Sequence, residues 1–170
     1  SVMDLYTSLA SMGTLYLLDK ETQIDLKSLF TSLWQSNAAV WVSTPSFADM
    51  CLADRQFSQE RMPQLETFLF CGETLTNSTA LKLMERFPEA KIVNTYGPTE
   101  STVAVTSIVI TPSLAQEKIP LPVGSVKPGS YIEIHKPDGS IAATGDSGEI
   151  VLVGDTVSTG YFKQPHLTKK

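Results

Sequence analysis

The chain is poor in the residues that bind metals and carry redox chemistry, with only two cysteines and two histidines in 170 residues. Cys51 and Cys71 form no CxxC pair and have only His135 and His166 as companions. A metal cluster is therefore not expected, and two reduced thiols in a cytoplasmic protein are the simple reading. A disulfide between them is the alternative that spacing leaves open. Basic charge is also short: the net charge is −5, so the chain has no footprint for nucleic acid or anionic lipid. An anionic ligand would need donors placed locally. No apolar run approaches the roughly 20 residues that span a bilayer, and Ser1-Val2-Met3-Asp4 lacks the basic start of a signal peptide. Internal repeats, low-complexity tracts, the P-loop pattern and G-x-G-x-x-G are absent as well.

What remains is globular. A hydrophobic fraction of 42% against 18% charged residues supports one respectable core or two small ones. The first hundred residues alternate between helix and strand patterns. Residues around 2–11 read as a helix, and Gly13 to Leu18 as a strand. Leu26, Leu29, Phe30, Leu33 and Trp34 fall on one face of a helix opened by Asp25. Ala39 to Ser43 reads as a strand, with Pro45 in the first turn of the next helix. Thr67 to Cys71 is another strand, Thr76 to Phe87 a helix that Pro88 ends, and Lys91 to Asn94 a further strand. This alternation predicts an α/β fold over residues 1–110, a parallel sheet flanked by helices. Prolines then punctuate short β-like runs at Val103–Ile110, Tyr131–Lys136 and Glu149–Val153, with a hairpin signal at Pro137-Asp138-Gly139. Residues 111–170 are expected to form a small antiparallel β subdomain, partly a barrel, beginning near Leu121.

The densest chemical signal is Asn94-Thr95-Tyr96-Gly97-Pro98-Thr99-Glu100, directly after Lys91-Ile92-Val93. The tyrosine ring can stack on a flat base, and Gly97 lets backbone approach a ligand closely. Pro98 fixes the following turn. Thr99 can bond a phosphoryl or carbonyl oxygen, and Glu100 can hold a hard cation such as Mg²⁺. The plainer reading is a strand-end turn with a surface carboxylate. Ligands of parallel sheets sit outside the carboxyl ends of strands, where both this segment and Cys71-Gly72-Glu73 fall.

This heptad resembles the signature loop of the adenylate-forming superfamily. A second segment, Gly148-Glu149-Ile150-Val151-Leu152-Val153-Gly154 followed by Val157-Ser158 and Gly160-Tyr161-Phe162, is similar to the superfamily's later glycine-rich strand motif, so the resemblance covers essentially the whole chain. Within it, Thr44-Pro45-Ser46-Phe47 and Phe68 to Glu73 look most like the D-alanine–D-alanyl carrier protein ligases.

The resemblance implies a truncated piece of the N-terminal domain of an adenylate-forming enzyme. It would lack an upstream Ser/Thr/Gly-rich triphosphate loop and a downstream Asp and catalytic Lys, and its β subdomain would be incomplete. The implied reaction joins a carboxylate to the α-phosphorus of ATP, releases pyrophosphate, and passes the acyl group to the phosphopantetheine thiol of a carrier protein. The implied cofactors are ATP/AMP and Mg²⁺, with Glu100 as the metal ligand and Thr99 at the α-phosphoryl oxygen. Tyr96 would stack on adenine and Asn94 would bond its polar edge, with Thr95 and Gly97 in the same slot. Gly72 and Glu73 would form the opposite wall. Cys71 would fill the acyl pocket so that only a small amino acid such as D-alanine fits, with Val123 and Gly124 on the other side.

Each role has a plainer counterpart: a capping Asn94, a solvated Glu73, and Cys71 as a small core hydrophobe. Asp4 has the wrong offset to anchor the substrate amine; that Asp is expected just before Ser1. Gly145-Asp146-Ser147-Gly148 resembles a serine-protease nucleophile segment but lacks a partner histidine and reads better as a turn. Other adenylation domains, including those of peptide synthetases, and a non-catalytic nucleotide-binding module remain open.

Overall fold

A computed structural model describes residues 2–169. Three strands, β1 (Val40–Ser43), β2 (Thr67–Phe70) and β3 (Lys91–Tyr96), run parallel in that order. Their register sets Val40 beside Thr67 and Thr67 beside Lys91. The sheet then reverses: β4 (Thr106–Val109) pairs antiparallel with β3, and β5 (Ser125–Val126) antiparallel with β4. A separate two-stranded antiparallel sheet joins β6 (Ser130–His135) to β7 (Glu149–Gly154). The Pro137-Asp138-Gly139 signal is a real turn, closed by the Gly139 N–H on the Lys136 carbonyl at 2.9 Å.

The helices form where local chemistry supplies their ends. α1 spans Val2–Ala10, α2 Lys20–Ile24 and α3 Leu26–Gln35. Asp25 caps α3 by accepting from the Ser28 N–H at 2.9 Å, while Leu29, Phe30 and Leu33 turn into the core. α4 (Pro45–Leu52) starts on its proline, and α5 (Asn77–Arg86) on Thr76, whose hydroxyl accepts from the Thr79 N–H at 3.1 Å. α6 (Pro112–Gln116) and α7 (Pro165–Thr168) are single short turns.

The core is an aromatic stack beneath the parallel strands. Phe57 and Phe68 each meet Phe87 edge-on at 4.8 and 4.9 Å, and Trp41 lies 5.3 Å from Phe57 and 5.8 Å from Phe68. Such tilted pairs set the positive ring edge against a negative face.

Two expectations fail. Gly13 to Leu18 is not a strand. A strand exists only with a ladder partner, and this segment instead runs beside a groove of about 560 Å³ that separates it from the outer edge of β1, with Tyr16, Leu18, Val40 and Trp41 among its lining. The run at Val103–Ile110 becomes a strand only from Thr106, because Thr102 and Val103 adopt left-handed backbone angles (φ 64° and 67°). The short helix α2, capped by Asp19 on the Thr22 N–H at 2.7 Å, was not foreseen.

Cys51 and Cys71 are both free thiols, which closes the disulfide alternative. Burial pushes the Cys51 thiol up to about 12, whereas Cys71 is half-buried. Iodoacetamide at pH 8 should therefore label Cys71 in the folded chain and spare Cys51, with both labelled after denaturation, as peptide mass mapping would show.

Candidate functional site

Because β1, β2 and β3 run parallel, their carboxyl ends gather three loops on one rim of the sheet. These are Thr44 to Phe47, Cys71 to Glu73, and Gly97 to Glu100. Each is held by a long-range bond. Ser46 donates its backbone N–H to Glu73 Oε2 at 3.1 Å, supplying the cap that the Thr44 side chain does not provide for α4. Glu73 therefore couples the β2 loop to the start of α4. Gly72 sits at φ +91°, where a side chain would strain the backbone.

Asn94 and Thr95, also expected to face a ligand, have protein partners too. Thr95 donates its hydroxyl to the Phe70 carbonyl at 2.8 Å, tying β3 to β2. Asn94 is buried and donates from Nδ2 to the Pro122 carbonyl at 2.9 Å. That bond holds Val123 and Gly124, both half-buried, beside the end of β3. Gly124 itself, at φ +88°, lies against the Ser107 carbonyl of β4 with no room for a Cβ.

The heptad divides into a buried root and an open tip. Tyr96 is 37% exposed, so part of the residue reaches solvent. A Cβ on Gly97 would come within 2.6 Å of the Val103 carbonyl and 2.8 Å of the Val105 N–H group. The close approach that glycine permits here is made by returning backbone. Thr99 and Glu100 are exposed and begin a one-turn 3₁₀ helix over Thr99–Ser101. Beyond it the left-handed pair Thr102-Val103 turns the chain back, and the Val103 carbonyl accepts the Cys71 thiol at 3.5 Å. Lys127 donates from Nζ to the neighbouring Ala104 carbonyl at 3.1 Å.

One participant escaped the assignment of roles. Tyr161 donates its hydroxyl to Glu100 Oε1 across 61 positions of sequence. The bond holds the Glu100 carboxyl below the usual carboxylate range and pushes the Tyr161 hydroxyl up. Its only sequence signal was membership of the Gly160-Tyr161-Phe162 segment.

Among the described residues no group of three His, Cys, Asp or Glu side chains could hold a metal by itself. The donor set at the rim suits a different kind of cation. Mg²⁺ commonly takes one or two carboxylates and completes its shell with water and substrate phosphates. An exposed Glu100 carboxylate beside the Thr99 hydroxyl fits that demand. With a partly exposed tyrosine beside it, the rim can take a planar base at one end and a phosphate with its cation at the other.

Residues 1–162 match the AMP-binding enzyme family. The chain belongs to it. Over all 170 residues this AMP-binding chain is 55% identical to the D-alanine–D-alanyl carrier protein ligase of Bacillus cytotoxicus and 54% identical to that of Bacillus anthracis, covering 34% of each. It thus spans about a third of the length of the curated relatives it matches. Its fold is similar to the adenylation domain AlmE of Vibrio cholerae in complex with glycyl-adenosine-5'-phosphate, with a TM-score of 0.83 and 26% identity over 99% of this chain and 32% of that one. A four-domain nonribosomal peptide synthetase bound to AMP and glycine is also similar, with a TM-score of 0.79 and 26% identity over 92% of this chain and 11% of that one. The mixed sheet with its parallel half is therefore the adenylation-domain fold.

Proposed function

We propose that this chain is the central part of an ATP-dependent ligase. The ligase activates D-alanine as D-alanyl-adenylate and passes it to the phosphopantetheine thiol of a carrier protein, supplying D-alanine for teichoic acids from the cytoplasm. The observation that carries the reading is the gathering of Cys71-Gly72-Glu73 and Tyr96 to Glu100 on one rim, in a chain 55% identical over its whole length to D-alanine–D-alanyl carrier protein ligase. The same reading divides the chain after residue 110, into an α/β part bearing these loops and a β part bearing Val123, Gly124 and Tyr161.

The chemistry asks for positioning and charge neutralisation rather than a protein nucleophile. Tyr96 stacks on the adenine, with Gly72 forming the opposite wall. Asn94 and Thr95 work one layer down: Asn94 holds the Val123-Gly124 side of the acyl pocket through Pro122, and Thr95 fixes the strand beneath. Glu73 acts on the pocket through the start of α4. Cys71 fills space beside the acyl group, and packing of this kind discriminates by about 1–3 kcal/mol per methylene. Thr99 bonds the α-phosphoryl oxygen as the substrate carboxylate attacks the α-phosphorus and pyrophosphate leaves. Glu100 would hold Mg²⁺, which supplies neutralisation of phosphate charge when bound. The thiol of the carrier arm then attacks the acyl carbon and AMP leaves.

Amino-acid-dependent ATP–pyrophosphate exchange, measured on a chain of the relatives' full length, tests the assignment. Exchange should be strongest with D-alanine. A preference for glycine or an L-amino acid would instead support the second reading, a peptide-synthetase-type adenylation domain, which the likeness to glycine-handling domains motivates. No exchange with any amino acid would leave a nucleotide-binding module without the chemistry.

A further inference from the structure

The segment that follows β7 returns to the rim and is tied to the Glu100 loop three times. The Ser158 N–H donates to the Glu100 carbonyl at 2.7 Å, and the Thr102 hydroxyl donates to the Thr156 carbonyl at 3.0 Å. Those two bonds hold the segment down. The third, from the Tyr161 hydroxyl to Glu100 Oε1, reaches a side chain instead.

Tyr161 is itself set in place from behind. Its backbone N–H donates to the Thr168 hydroxyl at 3.0 Å, and Gly160 packs so closely on the Thr168 side chain that no Cβ fits there. Tyr161 is 46% exposed, so burial of apolar area is not what it mainly contributes.

We propose that Tyr161 is a positioning residue for Glu100, fixing one carboxylate oxygen so that Oε2 is presented in a set direction to the cation of the bound nucleotide. This rests on the reading that Glu100 is the cation's protein ligand. An exposed glutamate samples several rotamers, and freezing them at the moment of binding opposes association. A hydroxyl that already holds one oxygen removes much of that opposition and leaves the second oxygen for the metal. Carboxylates that ligate metals are in general themselves hydrogen-bonded, and loss of such a partner weakens metal affinity by about 10- to 100-fold.

The test uses Mn²⁺ together with α,β-methylene-ATP on a chain of the relatives' full length. Bound Mn²⁺ is counted from the loss of the aqueous Mn²⁺ electron paramagnetic resonance signal, and its position is read from broadening of amide signals. In the unaltered chain the broadening should centre on Thr99 to Thr102, and Glu100→Gln should abolish it. Tyr161→Phe should raise the Mn²⁺ dissociation constant about tenfold or more, while the Ser158 amide stays protected from exchange. Thr102→Ala, which cuts another tie of the same segment, should leave the affinity unchanged.

Unchanged or tighter Mn²⁺ binding in Tyr161→Phe, with binding lost in Glu100→Gln, would overturn the role of Tyr161 and leave Glu100 as the ligand. An equal loss in Thr102→Ala would reassign the effect to docking of the segment and also overturn it. Binding that ignores Glu100→Gln, or no broadening near Glu100 in the unaltered chain, would overturn the cation reading and this inference with it.

Discussion

Phe68→Ala should lower the unfolding free energy of the chain by about 3–5 kcal/mol. Phe68 is fully buried in the middle parallel strand, and its ring meets Trp41, Phe57, Phe70 and Phe87. Truncation removes the transfer energy of the ring and leaves a cavity that four other aromatics cannot close without leaving their own rotamers. Domains of this kind have about 5–15 kcal/mol in hand, so the variant should sit near the edge of folding. Urea unfolding followed by circular dichroism measures it, with the midpoint displaced and the slope unchanged. Phe162→Ala is the matched control: that residue is 87% exposed, and loss of its ring should change stability by less than about 0.5 kcal/mol. If the two variants unfold alike, the aromatic stack is not the centre of the core.

The consequence would reach the rim. Phe68 lies two residues before Phe70, whose carbonyl receives the Thr95 hydroxyl, and three before Cys71. The core under β2 and the candidate pocket just past its end are built from consecutive residues of the chain. Loosening the first should blunt the second even where the chain still folds.

This continuity explains why the sheet was legible in the sequence. Helices α3 and α5 carry their caps and their apolar spacing within a dozen residues, so Asp25 and Thr76 announce them locally. β2 and β3 are short apolar runs bounded by loop residues, and their alternation with helices points to parallel pairing. Elements decided at long range were not legible. Gly13 to Leu18 has a strand's composition but no ladder, and composition cannot reveal a missing partner. The left-handed Thr102 and Val103 delay β4, and neither residue type advertises a positive φ.

The candidate site divides along the same line. That the Asn94-to-Glu100 segment lies at the end of a parallel strand follows from local pattern, and the structure places it there. Which atoms point to solvent does not follow. Asn94 and Thr95 spend hydrogen bonds on Pro122 and Phe70, 28 and 25 positions away in sequence. Glu73 reaches back to Ser46, and Tyr161 reaches across to Glu100. A single sequence names the polar residues but not the backbone groups that claim them.

Gly124 shows how much such a claim can cost. Gly124→Ala should destabilise the chain by about 2–5 kcal/mol, through a left-handed backbone angle that alanine tolerates poorly and through overlap with its neighbours. The position has φ +88°; a Cβ there overlaps the Ser107 carbonyl and comes within 2.7 Å of the Ile108 Cβ. The obstacle is the backbone of β4, which is paired on both sides and cannot yield as a side chain would. Relief must come from residues 121–124 moving outward, against the Asn94 bond to Pro122. Two measurements separate the consequences. Denaturant unfolding reads the strain, and titration with a D-alanyl-sulfamoyl-adenosine, against AMP alone, reads the pocket. On the proposed reading Val123 and Gly124 flank the acyl side rather than the base, so affinity for the aminoacyl compound should fall more than affinity for AMP. Val123→Ala, which shortens a half-buried side chain without touching the backbone, should leave stability nearly intact while altering the same preference. Equal losses for both ligands in Gly124→Ala would mean that the 121–124 segment supports the whole rim and does not specifically line an acyl pocket.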